Sequence, residues 1–199
     1  MFLDVLLRRN PALVRAAVEL HQRGEIPANA YVLDVDAIGA NAELIAGEAR
    51  RLGLRAYAMT KQIGNNPVAI EAIARHGIEA GVAVDMACAR ALTRAGMPLG
   101  HVGHLVQVPR DEAADAAAME PEHWTVFSAE KAAEASAAAA ALDREQALLA
   151  RVHADGDRFY PGHEGGFPAD ELERVAEAFD ALEGGRFAGV TTFPAALFD

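Results

Sequence analysis

Apolar positions along the chain change rhythm after residue 24. Before it, Leu3, Leu6, Leu7, Val14, Ala17 and Leu20 recur at helical spacing. They predict an amphipathic leading helix interrupted near Asn10-Pro11. Beyond it, short apolar runs alternate with helical patterns. The runs predict strands at Tyr31–Val35, Arg55–Met59, Ala80–Val84, Val102–Val106, Trp124–Phe127, Leu148–Ala154 and Gly189–Thr192. Helical patterns occupy Ala37–Leu52, Val68–His76, Met86–Ala95, Asp111–Met119, Ala129–Leu142 and Ala169–Leu182.

Strands that alternate with helices lie parallel and need crossover connections. Several runs are apolar at consecutive positions, as a sheet covered on both faces requires. A closed barrel and an open doubly wound sheet both satisfy this pattern. The barrel is preferred, because no Gly-rich dinucleotide or P-loop signature follows any strand. The expected fold is α/β, a (β/α)8 TIM-barrel-like architecture incomplete at about seven βα units. Residues 1–27 form a helical extension and residues 28–199 the partial barrel domain.

Composition narrows the function. A chain of 199 residues suffices for one domain with a core. Its net charge of -11 argues against general nucleic-acid or anionic-membrane binding. A phosphate or carboxylate ligand must then be held by local cations and backbone N–H groups. The single cysteine, Cys88, excludes an internal disulfide and points to a reducing, cytoplasmic compartment. Met1–Arg9 carries an early acid and lacks the apolar core of a signal peptide. No run is long enough to span a bilayer.

Candidate chemistry gathers at predicted strand ends, where α/β barrels keep their sites. Lys61 follows the second strand and precedes the turn Gln62-Ile-Gly-Asn-Asn-Pro67. Alternation along the strand puts Tyr57, Met59 and Lys61 on one face. A desolvated amine there is a nucleophile toward carbonyl compounds. In the turn, Gly64 suits positive φ, and Asn65 or Asn66 suits a helix cap. Asp36 is placed to cap the first barrel helix, with Asp34 facing the interior. His101 and His104 bracket the fourth strand, one before it and one within it. The loop Val152–Phe167 is dense in His, Asp, Arg and Tyr. Arg158 and Tyr160 suit an anion there better than His153, Asp155, His163 and Glu164 suit a metal. Thr191 ends the seventh strand with a hydroxyl, and Cys88 sits in a core helix pattern.

These segments together resemble a known family. Val32-Leu-Asp-Val-Asp-Ala-Ile-Gly-Ala-Asn41 is similar to the first strand and helix of the alanine racemase N-terminal barrel, the fold-type III pyridoxal-phosphate enzymes. Thr60-Lys61 matches the cofactor lysine of that family. Gly81–Asp85 through Arg94-Ala-Gly96 resembles its third strand and helix. Val152–Arg158 through Gly166-Phe167 looks like its Asp-Thr-Gly-Met-Gly-Arg segment. The stretch Thr60-Lys-Gln-Ile-Gly-Asn-Asn-Pro67 points to the YhfX-type subgroup.

The resemblance implies pyridoxal 5'-phosphate as cofactor and a pyridoxal-phosphate-dependent, amino-acid racemase-like function. Isomerisation is favoured over decarboxylation. Lys61 would be both the Schiff-base lysine and the catalytic base. Asn65, His104, Arg158, Thr191 and Phe193 would line the cofactor, with no metal. Asn65 stands where racemases carry a phosphate-binding tyrosine. Thr191-Thr-Phe193 stands where they usually carry a histidine stacked on the ring, and Phe193 takes over the stacking. The family's phosphate loop, its partner for the pyridine nitrogen and its C-terminal β-domain fall beyond Asp199. The implied partners are a small amino-acid substrate and, as an allowed assembly, a second copy in a homodimer. The alternative is a non-catalytic barrel that binds pyridoxal phosphate in cofactor homeostasis. A third reading is an aldolase that uses Lys61 without cofactor.

Overall fold

The computed structural model describes residues 2–192. Two short helices lead, α1 (Phe2–Arg9) and α2 (Pro11–Gln22). Asn10 separates them and caps α2, accepting from the Leu13 N–H at 3.0 Å. Pro11 takes the first helical position, where its missing N–H costs nothing. None of the residues of α2 is buried.

The six predicted barrel helices are present as α3 (Val35–Arg51), α4 (Pro67–Arg75), α5 (Met86–Arg94), α6 (Ala113–Ala118), α7 (Ala129–Ala140) and α8 (Leu172–Asp180). Their starts are written in the sequence. Asn66 accepts from the Val68 and Ala69 amides, Asp85 from Cys88 and Ser128 from Lys131. Each supplies an acceptor to amides that have no partner within the helix. The cap of α3 is Asp34, which accepts from the Ala37 N–H at 2.9 Å, and not the expected Asp36. Asp34 does not face the interior. Its second carboxylate oxygen accepts from Asn10 Nδ2 at 2.6 Å, so the caps of α2 and α3 are joined.

The strands are β1 (Gly81–Val82), β2 (Leu99–Val102), β3 (His123–Val126), β4 (Gln146–His153), β5 (Phe167–Pro168) and β6 (Gly185–Thr191). All pairings are parallel, in the order β1-β2-β3-β4, with both β5 and β6 against β4. Three expected strands differ. Tyr31–Asp34 is irregular chain, and Val35 already opens α3. Arg55–Met59 keeps a single bridge, Ala58 to Gly81. A strand exists only where a neighbour accepts its ladder, and the run Tyr31–Asp34 ends instead in the cap of a helix. The strand expected at Val102–Val106 is displaced to Leu99–Val102, so His101 lies within β2 rather than before it, and His104 after it rather than within it.

The apolar layer between sheet and helices is built from Ile70, Leu92, Leu99, Val102, Trp124, Val126, Leu148 and Phe179, all essentially inaccessible. Glycine lets helix and sheet approach. A Cβ on Gly81 would lie 2.9 Å from Leu92 Cδ1. The other face of the sheet turns in on itself. His104, just past β2, brings Nδ1 to 3.4 Å from Thr191 Oγ1 at the end of β6. Three strand spacings separate β2 from β6, about 14 Å in a flat sheet. The sheet therefore curls as a barrel wall does, and the fold is the expected α/β, TIM-barrel-like one.

Candidate functional site

The inward face carries polar groups stacked from one end of the strands to the other. At the amino ends, the Tyr57 hydroxyl donates to Glu122 Oε2 at 2.7 Å, and Arg55 pairs with the same carboxylate. Burial and that acceptor push the Tyr57 phenol up to about 12. The ring rests against Gly100, where a Cβ would lie 2.1 Å from Tyr57 Cδ1. Midway, His101 Nε2 pairs with Thr125 Oγ1. At the carboxyl ends lie His104, Thr191, Arg151 and Lys61.

Each of these last groups has a local reason for its place. Gly103 takes φ +75 directly after β2, and a Cβ there would lie 2.4 Å from the Thr125 carbonyl. Only glycine fits that conformation and that approach. Gln107 Nε2 then donates to the Gly103 carbonyl at 2.7 Å, and its oxygen accepts from the Phe127 N–H at 3.1 Å. This clamp holds the turn that presents His104 over the barrel mouth. Thr191 is the register partner of Arg151 across β4 and β6.

Lys61 opens a single turn of 3-10 helix, Lys61–Ile63, and is exposed. The strand alternation expected for Tyr57, Met59 and Lys61 therefore stops one residue short, at Thr60. Thr60 is buried, and its hydroxyl donates to Asn65 Oδ1 at 2.7 Å. The same oxygen accepts from Cys88 Sγ at 3.3 Å. Asn65 adopts φ 51 beside Gly64 at φ 63, and Asn66 begins α4. The lysine thus stands on a turn pinned from below. Cys88 is the expected core thiol, its pKa raised chiefly by burial.

Arg151 is the large surprise of the site. It is 1% exposed, two residues before the carboxyl end of β4. Its guanidinium lies 4.9 Å from the centre of the Phe127 ring and 5.3 Å from that of Phe159. Nη2 donates to the His163 carbonyl at 3.0 Å, while Nε has no hydrogen-bond partner among the described residues. Burial holds its pKa below the usual arginine value, against the opposing charge of Asp157. Among the described residues, neither Lys61 nor Arg151 forms an ion pair with a carboxylate, whereas Lys131 is paired to Glu134.

Two neighbouring histidines, His101 and His104, are pushed toward the uncharged form. Burial, then the neighbouring His104 and His123, pushes His101 down to about 3. Burial, then the charges of Arg151 and Lys61, lowers His104. The two rings sit 5.2 Å apart. The carboxyl ends thus combine a primary amine, a buried guanidinium, the His104 imidazole and the Thr191 hydroxyl. Cations and hydroxyls are groups that can receive an anion, and an amine is one that can attack carbonyl carbon.

Of the residues expected from the sequence, Lys61, His104 and Thr191 come together here. Asn65 lies beneath Lys61, its oxygen occupied by Thr60 and Cys88. Arg158 is exposed on the loop that follows β4. Phe193 lies outside the described residues. His153 and Asp155 border a cleft with Pro168 and Asp170 at the ends of β4 and β5. No cluster of three or more metal-ligating side chains occurs among the described residues. Arg151, Thr125 and Phe127 are absent from the sequence expectations, although an arginine inside the apolar run Leu148–Ala154 is a visible signal.

Residues 33–199 match the family model described as alanine racemase, N-terminal domain. Over all 199 residues the chain is 43% identical to the uncharacterized protein YhfX of Escherichia coli (strain K12), covering 51% of that protein. It therefore spans about half the length of that curated relative. Among solved structures it is similar to D-threonine aldolase from Filomicrobium marinum (TM-score 0.66, 21% identity, 83% of this chain and 43% of that one). It is also similar to diaminopimelate decarboxylase from Helicobacter pylori (TM-score 0.64, 15% identity, 81% and 43%). Alanine racemase of Clostridium difficile 630 follows at a TM-score of 0.52 and 17% identity (69% and 36%). At these identities the solved structures speak for the fold. Among the described residues no helix is long and apolar enough to cross a membrane.

Proposed function

Because the chain belongs to the alanine racemase N-terminal domain family, of fold-type III pyridoxal-phosphate enzymes, we propose that it binds pyridoxal 5'-phosphate through Lys61 and acts on a small amino acid. The carrying observation is the Lys61 amine at the carboxyl end of the barrel, beside neutral His104. No carboxylate among the described residues pairs with it. The donor set fits a phosphate-bearing aldehyde: one amine for the carbonyl, and cationic, imidazole and hydroxyl groups for its polar atoms.

Bound there, the cofactor supplies an electrophilic carbonyl and an electron sink for charge at the substrate α-carbon. The chain's own work is binding, orientation and proton transfer. Lys61 Nζ would hold the cofactor and would serve as the base that moves the proton at the substrate Cα. His104 and Thr191 would hold the cofactor's polar atoms by hydrogen bonding. The racemase-like reading takes this proton exchange as the reaction itself. Activity, substrate and a homodimer are proposals for the whole protein, of which relatives carry about twice this length.

Borohydride reduction of the protein mixed with pyridoxal phosphate, followed by peptide mapping, tests the anchor. The label is expected on Lys61. No label, or a label confined to Lys131, overturns the reading. Solvent-deuterium exchange at Cα across a panel of amino acids then tests catalysis. Exchange no faster than with free cofactor would favour the non-catalytic homeostasis barrel.

A further inference from the structure

We infer that Arg151 is the anion-receiving residue of the barrel mouth, its guanidinium the seat of a carboxylate or phosphate group. The inference concerns the same site as the proposed function and rests on that reading only for the source of the anion.

Three observations converge. Arg151 is 1% exposed, yet no carboxylate among the described residues pairs with it. A buried guanidinium without a counter-charge is strongly disfavoured, and an arriving anion relieves that cost. Its hydrogen bonding is incomplete, since Nη2 meets the His163 carbonyl while Nε is left without a partner among the described residues. A planar guanidinium whose Nε lacks an acceptor retains donors of the fork that receives two oxygens side by side.

The rest of the fold holds the side chain still. Phe127 and Phe159 bracket the guanidinium. Gly166, at φ +119, crosses so closely that a Cβ would lie 2.5 Å from the Arg151 carbonyl and 2.8 Å from its Cγ. The loop after β4 is thereby wrapped over the arginine stem. Such packing serves a fixed binding group better than a solvated surface charge, which is where Arg158 stands.

The test is thermal unfolding of the full chain, titrated with inorganic phosphate and separately with acetate at constant ionic strength. The wild type is expected to gain a saturable rise in Tm. Arg151→Gln is expected to weaken the midpoint about 10- to 100-fold, the range of a charge-assisted hydrogen bond to a buried group. Arg94→Gln, on the exposed end of α5, is expected to leave it unchanged. Arg151→Lys keeps the charge without the fork and is expected to fold and bind about tenfold more weakly. Equal midpoints in the wild type, Arg151→Gln and Arg151→Lys, or no saturable rise at all, would overturn the assignment.

Pyridoxal phosphate and pyridoxal separate the two sources. If the seat takes the cofactor's phosphate, Arg151→Gln weakens pyridoxal phosphate far more than pyridoxal. If it takes the substrate carboxylate, the variant spares both and loses amino-acid binding instead. Either pattern supports the anion seat. An unlabelled Lys61 with the anion-dependent rise intact would sink the cofactor reading and leave Arg151 assigned.

Discussion

The Thr60 hydroxyl donates to Asn65 Oδ1 at 2.7 Å and so closes the turn from Thr60 to Asn65 around Lys61. The Thr60 carbonyl closes the same turn, accepting from the Ile63 and Asn65 N–H groups at 3.1 and 3.0 Å. The preceding run, Arg55–Met59, joins the sheet through one bridge at Ala58. Thr60→Val keeps the shape and removes the donor. We expect a loss of about 1–2 kcal/mol in stability, since a buried acceptor loses a partner. Urea unfolding measures that loss. Slower reductive labelling of Lys61 at matched folded fraction would show that the lysine has been displaced; unchanged labelling would show that the latch serves stability alone.

His101 makes stability depend on pH. Its folded pKa is about 3, against an ordinary 6.5, because of burial and then the neighbouring His104 and His123. Between those values the unfolded chain holds the proton and the folded chain does not. Stability is therefore complete above about pH 6.5 and is lost as pH falls toward 3, by up to about 1.4 kcal/mol per pH unit for this group. His104, also lowered, adds in the same direction. Urea unfolding at pH 7 and pH 5 should show the wild type losing more than His101→Gln. Parallel losses in the two proteins would refute the assignment.

Gly100 and Tyr57 occupy one space. A Cβ at Gly100 would lie 2.1 Å from Tyr57 Cδ1. Gly100→Ala should cost about 1–3 kcal/mol through overpacking. Tyr57→Ala removes the obstacle, along with the bond to Glu122. In the double variant the combined loss should fall short of the sum by about 1 kcal/mol or more. Simple additivity in a thermal-denaturation cycle would mean that the barrel floor has room the structure does not show.

Asn10 holds the leading helices to the barrel by capping α2 and donating to Asp34 at 2.6 Å. With no buried residue on α2, this link carries much of the attachment. Asn10→Ala should cost about 1 kcal/mol as a lost cap. Limited proteolysis should then cut faster between residues 23 and 33, while the barrel fragment resists. An unchanged cleavage pattern would mean that other contacts retain α1 and α2.

Helices were legible in the sequence because their signals are local. Asn66, Asp85 and Ser128 each stand immediately before an apolar period, and all three cap. Strands were less legible because a ladder depends on distant partners. Tyr31–Asp34 has the composition of a strand and becomes a loop leading to the Asp34 cap. β2 begins three residues earlier than the apolar run suggested. The site was legible where chain neighbours define it, as around Lys61. His104 and Thr191 were both expected to line the site, but that they meet each other, 87 positions apart, follows from the strand order and from no local signal. Arg151 was passed over because an apolar strand is read as wall, although a lone arginine inside Leu148–Ala154 is a visible signal.

The net charge of -11 belongs to the chain as a whole, while the charges of Lys61 and Arg151 both act on the His104 imidazole. Charge spread over a chain is screened within about one Debye length, some 8–10 Å. Closer than that, the nearest charges decide the sign of the field. At the carboxyl ends of these strands that local sign is opposite to the sign of the chain's total.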